Sequence, residues 1–157
     1  DMIVSQHGCD AHIYDPLAHI RCSMLTYRRM PQTLHRLAHE HCDGRWVALG
    51  GGGYDIWRVV PRAWSLLWLE MSDHPLLDEL DRNERLPLPE HWKEKWRDQS
   101  PHPLPDTWLD EKDAGTNARR EQIRQMNEST LHTALTFLEE DGSWQRRVGR
   151  TVPQHAR

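Results

Sequence analysis

The chain has 157 residues, a formal net charge of −4 and a hydrophobic content of 37%. That length allows one domain, or one domain with a tail, and its core is small for a full parallel-sheet enzyme. The mild negative charge gives no electrostatic reason to expect a nucleic-acid partner, and no apolar run approaches the ~20 residues of a membrane span.

Nothing in the sequence reads as a signal peptide. Cys9, Cys22 and Cys42 lack CxxC spacing. An odd count without a framework fits free thiols in a reducing compartment, so a cytoplasmic protein is expected. The basic cluster Arg146, Arg147, Arg150 and Arg157 reads as a solvated tail over 144–157.

Taken in order, the chain opens in mid-strand with Met2–Ser5, which is the opening expected of a fragment. Its neighbouring apolar residues suit a parallel strand buried on both faces. A polar loop, His7–Leu17, follows at the carboxyl end of that strand. Thr26 is the expected N-cap of a helix running to about Cys42, with Leu34, Leu37, Ala38 and His41 on its inner face. Pro31 lies too deep for a first-turn proline, so it either kinks the helix or delays its start. Asp43-Gly44 ends it.

Next comes Trp46–Leu49, four apolar residues that fit a short strand, then Gly50–Gly53, Tyr54 and an apolar-periodic run from Ile56 to Met71. A strand running through a glycine loop into a helix is half of a βαβ unit. Glycine lacks a Cβ, so the loop can take positive φ and lie close to a ligand or another loop. Strand, helix, strand predicts a right-handed crossover and a parallel pair. The loops 7–17 and 50–54 then share one sheet edge, where open α/β folds place their ligands. The helix carries Val59, Val60, Ala63, Trp64, Leu67, Trp68 and Met71, an apolar face broad enough to be covered on more than one side.

From 72 to 116 the prolines Pro75, Pro87, Pro89, Pro101, Pro103 and Pro105 interrupt every element, and Trp92, Trp96 and Trp108 are expected to pin this extension onto the domain surface. His91–Arg97 allows a short helical turn or two. The last helix is expected over 117–139, within a segment 117–143, with Ile123, Met126, Thr130, Ala134 and Leu138 along one stripe and Gly142 as its stop.

Asp10 and His12 invite a metal reading, because Asp and His are zinc ligands and a catalytic zinc takes about three protein ligands. An Asp-x-His pair alone is weak evidence. A carboxylate on one sheet-edge loop and Tyr54 on its neighbour together make a plausible acyl-hydrolysis site, with metal to activate water and the tyrosine hydroxyl to meet a forming oxyanion. His7, His12 and His19 lie nearby, and their spacing selects none of them as a base. A phosphate binder on the glycine loop is disfavoured. The Lys-Ser/Thr of a P-loop and the dinucleotide glycine spacing are missing, and Asp55 would repel phosphate.

These motifs carry a resemblance. Gly8-Cys9-Asp10-Ala11-His12 with Asp15-Pro16-Leu17 resembles the G-x-D-x-H-x-x-D-P-L segment of the zinc-dependent histone deacetylase superfamily. Gly50–Gly53 with Tyr54 resembles that family's glycine loop and catalytic tyrosine, and Arg45–Trp64 is most similar to the bacterial acetoin-utilisation branch. The resemblance covers about residues 1–71 with specific motifs and the Pro/Trp-rich part less specifically. It implies the C-terminal part of an open parallel-sheet arginase/deacetylase-like α/β fold, followed by the extension and a helix. It implies Zn2+ as cofactor, Asp10 as a zinc ligand and Tyr54 as the catalytic tyrosine. Leu17 would lie near the mouth of the acyl pocket, and Gly52 where backbone lines the substrate tunnel. The substrate would be an acetylated lysine side chain or acetylated small amine. His12 falls at a position that varies in the family and is not a ligand there. The family's paired histidines and other zinc ligands lie on earlier strands and have no match here, so the isolated chain is expected to be inactive. The competing expectation is a non-catalytic interaction module using the Trp-rich extension and last helix.

Overall fold

A computed structural model describes residues 1–18, 20–110 and 120–141. The chain forms two compact units, Asp1–Ala114 and Gly115–Arg157. The expectations for His19, for the Gly142 stop and for the basic tail fall outside the described residues.

The first unit contains β1 (Ile3–Gln6), α1 (Met24–Cys42), β2 (Trp46–Leu49), α2 (Val60–Met71), α3 (Leu76–Arg82) and α4 (Glu90–Trp96). β1 and β2 pair in parallel, from Ile3↔Trp46 to Gln6↔Leu49, with α1 as the crossover between them. Both strands therefore release their following loops at one edge, as the strand-helix-strand order predicts.

Burial on both sheet faces is not found. Ile3, Ser5, Trp46 and Ala48 are half-buried, whereas Val4, Gln6, Val47 and Leu49 are exposed. Side chains alternate along a strand, and α1 covers one face only. There its His35 ring stacks on Trp46, 6.0 Å between centroids, and the Trp46 indole donates to the Ser5 hydroxyl at 2.7 Å.

Helix α1 begins at Met24, earlier than a Thr26 cap implies. Ser23 stands at the N-cap but makes no side-chain cap bond. Instead the Met24 N–H donates to the Asp110 carboxylate at 2.6 Å. A carboxylate that is distant in sequence thus takes the role that local residues usually fill at a helix start. Pro31 does not delay the helix; it lies inside it, buried. Met24, Tyr27, Ala38 and Cys42 are buried on the inner face and Leu34 and Leu37 are half-buried, but His41 is exposed. Asp43 (φ 51°) and Gly44 (φ 74°) turn the chain out, and the Gly44 N–H reaches back to the Ala38 carbonyl at 3.0 Å.

Helix α2 begins at Val60, with Pro61 at its start, and Ile56–Arg58 form a turn before it. Asp55 explains the delay. Its carboxylate accepts the N–H groups of Trp57 (3.2 Å) and Arg58 (2.7 Å) and pairs with the Arg58 guanidinium, satisfying the turn from within. The core joins Val59, Ala63, Leu66 and Leu69 with Met24 and Tyr27 of α1, Leu77 and Leu80 of α3, and Cys9 and Leu109. Each such aliphatic side chain stabilises by roughly 1.5–3 kcal/mol when fully buried. Trp64, Trp68 and Met71 are exposed, so α2 is covered on one side only. Arg28 of α1 ties the three helices together by donating to Glu70 of α2 at 2.6 Å and Asp81 of α3 at 3.0 Å.

The proline-rich segment folds back against itself. Leu88 N–H donates to Asp106 O at 2.8 Å, and Trp108 N–H to Leu86 O at 3.1 Å. Leu88 and Leu109 are buried, Trp108 packs against the core, and Trp96 meets Trp57 at 6.0 Å between ring centroids. In the second unit the described residues form α5 (Arg120–Asp141), on which Ile123, Met126, Leu131 and Leu138 are exposed.

Candidate active site

The parallel register delivers the loops after β1 and β2 to the same edge, where they are stitched together. His7 N–H donates to Leu49 O at 2.8 Å, and Cys9 N–H donates to Gly52 O at 2.5 Å. Further along, the Asp15 carboxylate accepts Leu17 N–H at 2.9 Å and Tyr54 N–H at 2.8 Å. Three sequence-predicted residues, Asp10, Gly52 and Tyr54, are thereby held on two adjoining loops.

Gly52 faces Asp10 directly. A Cβ placed on Gly52 would lie 2.4 Å from Asp10 Oδ2, closer than real Cβ atoms come. Gly51 and Gly53 are equally confined: a Cβ would meet the Gln6 side chain at 2.1 Å and the Cys9 sulfur at 2.6 Å, respectively. Gly51, Gly52 and Gly53 are needed for this close approach and not for positive φ, because Gly44 is the glycine that adopts positive φ among the described residues.

Asp10 is half-buried at the loop edge. It lies inside a turn closed by the His12 N–H on Cys9 O at 3.2 Å. The corner at Cys9 is held by the Tyr27 hydroxyl, which donates to Cys9 O at 3.1 Å. Tyr54 is 52% exposed and Leu17 62% exposed, so both stand open at the rim. Arg58 lies over the Tyr14 ring at 4.5 Å.

The geometry separates Asp10 from His12. His12 is fully buried. Its Nδ1 accepts the Tyr14 N–H at 3.1 Å and its Nε2 lies 2.9 Å from Asp110. Both ring nitrogens are engaged, so Nε2 carries the proton and neither is free to ligate. His7 is buried too, with Nε2 at 2.7 Å from the Ser5 hydroxyl. Burial lowers its pKa, which keeps the ring neutral. Burial, with Asp15 and Asp10 close by, pushes the Cys9 thiol up to about 11, so it is not a ready nucleophile.

Two residues join the site that sequence reasoning gave no role. Asp15 belongs to the quoted Asp-Pro-Leu motif, and a carboxylate two residues before Leu17 is a common turn signal. Burial alone would raise its pKa, but the N–H donors of Leu17 and Tyr54 bring it below the ordinary value. Asp110 had no signal at all, because its partners lie 86 and 98 residues away.

The donor chemistry bears on zinc. Asp10 offers a hard anionic oxygen of the kind zinc accepts. Among the described residues no group of three or more His, Cys, Asp and Glu is placed to hold a metal ion. The described residues alone therefore do not assemble the three or so protein ligands of a catalytic zinc. No helix among the described residues is long and apolar enough to cross a membrane.

Residues 1–71 match the histone deacetylase domain family. The chain is 46% identical over 136 residues to an acetoin utilization protein of Bacillus subtilis, a match covering 86% of this chain and 33% of that protein. A protein of the same description from Staphylococcus xylosus is 36% identical over 141 residues, covering 88% and 34%. One from Staphylococcus aureus is 43% identical over 76 residues, covering 48% and 20%. The chain thus spans about a third of the length of the first two curated relatives it matches. With its Asp10 and Tyr54 loops inside the matched segment and its similarity running on through the proline-rich part, the chain matches the histone deacetylase superfamily, in the acetoin-utilisation branch.

Proposed function

We propose that the chain forms part of the active site of a zinc-dependent amide hydrolase that removes acetyl groups from lysine side chains or from small acetylated amines. The observation that carries this is the contact of the Gly52 backbone with the Asp10 carboxylate, two residues before Tyr54. It puts a carboxylate and a phenol on adjoining loops at the edge of a parallel pair where open α/β folds bind ligands.

In this reading Asp10 is one ligand of a zinc whose other ligands come from outside this chain. Zinc, when bound, polarises the acyl carbonyl and activates water. The Tyr54 hydroxyl donates a hydrogen bond to the acyl oxygen as it becomes negative, which is the largest effect that one neutral donor can have there. Exposure at the rim leaves that hydroxyl free for substrate. Leu17 lines the mouth of the acyl pocket, and the Gly52 backbone, lacking a side chain, lets the acylated stem pass close by. Asp15 and Asp55 hold the chain on either side of Tyr54. The general base is supplied from outside this chain, as the family resemblance implies, and His7 and His12 are both engaged elsewhere. The isolated chain is then inactive. Three free cysteines fit a cytoplasmic setting. The proline-rich segment is an extension packed on the catalytic part, and the sheet is the end of a larger open one.

A second reading rests on α5, whose Ile123, Met126, Leu131 and Leu138 are exposed. It makes the chain a protein-interaction module without catalysis. Acetate release from an acetyl-lysine peptide by the full-length protein separates the two. The hydrolase reading expects release that stops on chelation, returns with zinc, and is lost with bound metal in Asp10→Ala. Chelator-insensitive activity, or stoichiometric zinc in Asp10→Ala, overturns it.

A further inference from the structure

We propose that Asp110 is a positioning residue for Asp10: it grips His12 from the far end of the proline-rich segment and so fixes the turn that presents the Asp10 carboxylate. Its catalytic consequence rests on the hydrolase reading above.

The argument begins with where the charges are. Arg62, His12 and Asp110 make one buried cluster; their side chains are 1%, 0% and 4% exposed. Asp110 Oδ1 accepts from Arg62 Nη1 at 2.9 Å. Its Oδ2 accepts from His12 Nε2 at 2.9 Å and from the Met24 N–H at 2.6 Å. Arg62 is locked in turn, donating from Nε to Arg58 O at 2.6 Å. One carboxylate thus joins the Asp10 loop, the start of α1 and the first turn of α2.

Buried charge clusters are poor devices for stability alone, because desolvation offsets much of the attraction and an apolar replacement often does as well. What this cluster supplies is direction. The turn that holds Asp10 has its corners at Cys9 and His12. The Cys9 corner is fastened by Tyr27 and by Gly52. The His12 corner is fastened by Asp110 and by the Tyr14 N–H. With both corners fixed, the carboxylate between them has one place to stand, against Gly52. Asp110 lies beyond residues 1–71, which match the deacetylase family. The proline-rich segment therefore reaches into the site through this one side chain. Residues that orient a metal's ligands change affinity by about 10–100-fold when replaced.

The test uses the full-length protein carrying this chain, with Asp110→Asn, His12→Leu and, as a destabilising control in α3, Leu80→Ala. Zinc affinity is read by chelator competition, kcat and KM on an acetyl-lysine peptide, and backbone hydrogen exchange at Cys9, His12 and Tyr54 on the metal-free protein. Asp110→Asn is expected to weaken zinc binding about 10–100-fold. It should lower kcat with little change in KM and speed exchange at Cys9 and His12. Leu80→Ala, though less heat-stable, should keep zinc affinity and kcat within about two-fold of the unsubstituted protein, since Leu80 lies on α3 and makes none of the hydrogen bonds that fasten the turn. Zinc affinity and kcat in Asp110→Asn matching those of Leu80→Ala overturn the proposal and leave the hydrolase reading standing. If Asp110→Asn does not fold, His12→Leu removes the same bond from the other side and is judged by the same readings. If the unsubstituted protein binds no zinc and releases no acetate, the hydrolase reading fails. Exchange then decides on Asp110 by itself, and unchanged rates at Cys9 and His12 overturn it.

Discussion

The Asp15 carboxylate accepts the backbone N–H of Tyr54 at 2.8 Å, across 39 residues of sequence. Its other oxygen takes the Leu17 N–H at 2.9 Å. One buried carboxylate thus sets the path of the tyrosine loop from the neighbouring loop.

Replacing Asp15 by Ala leaves two N–H groups without their acceptor. An unsatisfied buried donor costs about 1–3 kcal/mol. Both N–H groups belong to exposed rim residues that water can partly reach, so Asp15→Ala is expected to lower stability by about 1–3 kcal/mol, read as a shift in urea midpoint. It should also lower kcat, because Tyr54 loses its anchor. An unchanged midpoint would remove Asp15 from this role.

Tyr54 itself is tested by Tyr54→Phe. Loss of one donor to a developing oxyanion costs roughly 3–4 kcal/mol in kcat, with KM nearly unchanged. Steady-state kinetics of the full-length protein checks this. A kcat equal to the unsubstituted value takes the hydroxyl out of the reaction.

Two glycines in one loop should respond differently. A Cβ on Gly52 would meet Asp10 Oδ2 at 2.4 Å, whereas on Gly50 its nearest neighbour is the Trp64 ring at an ordinary 3.5 Å. Gly52→Ala should displace the Asp10 carboxylate and lower bound zinc in the full-length protein, and Gly50→Ala should leave it intact. Metal analysis of the two variants decides, and equal zinc in both would contradict the close approach.

Acid should loosen the Asp110 cluster. Burial alone would raise the Asp110 carboxyl, but the His12 hydrogen bond, the Arg62 charge and the Met24 N–H together hold it down, from 3.8 to about 2. A carboxyl whose folded pKa is depressed adds stability above its unfolded pKa and loses it as pH falls through the folded one. The contribution is thus complete above pH 4 and disappears between about 4 and 2. At 1.36 kcal/mol per unit it amounts to about 2 kcal/mol. Urea midpoints measured against pH should fall more steeply in that window for the unsubstituted protein than for Asp110→Asn. Parallel curves would show that Asp110 titrates normally.

Much of the fold was legible from local pattern. Met2–Ser5 became β1, shifted by one residue to Ile3–Gln6, Trp46–Leu49 became β2, the strand-helix-strand order became a parallel pair, and Asp43-Gly44 ended α1. Each rests on interactions between residues close in sequence or on a rule of chain handedness. The motifs around Asp10 and Tyr54 were legible for the same reason: their residue types stand in short, fixed spacings. What the tertiary structure alone decided involves partners far apart. Thr26 looked like the cap of α1, yet the helix starts at Met24 because Asp110, 86 residues on, accepts its N–H. Spacing alone paired Asp10 with His12 and the resemblance left His12 without a role, whereas the structure gives it one, turned inward to that same carboxylate. The glycines allowed either positive φ or close approach to another loop, and only the tertiary structure shows that the close approach is what they serve. A hydrogen bond or a steric limit between distant segments leaves no periodicity in the chain, and here those bonds and limits set where the carboxylate and the tyrosine stand.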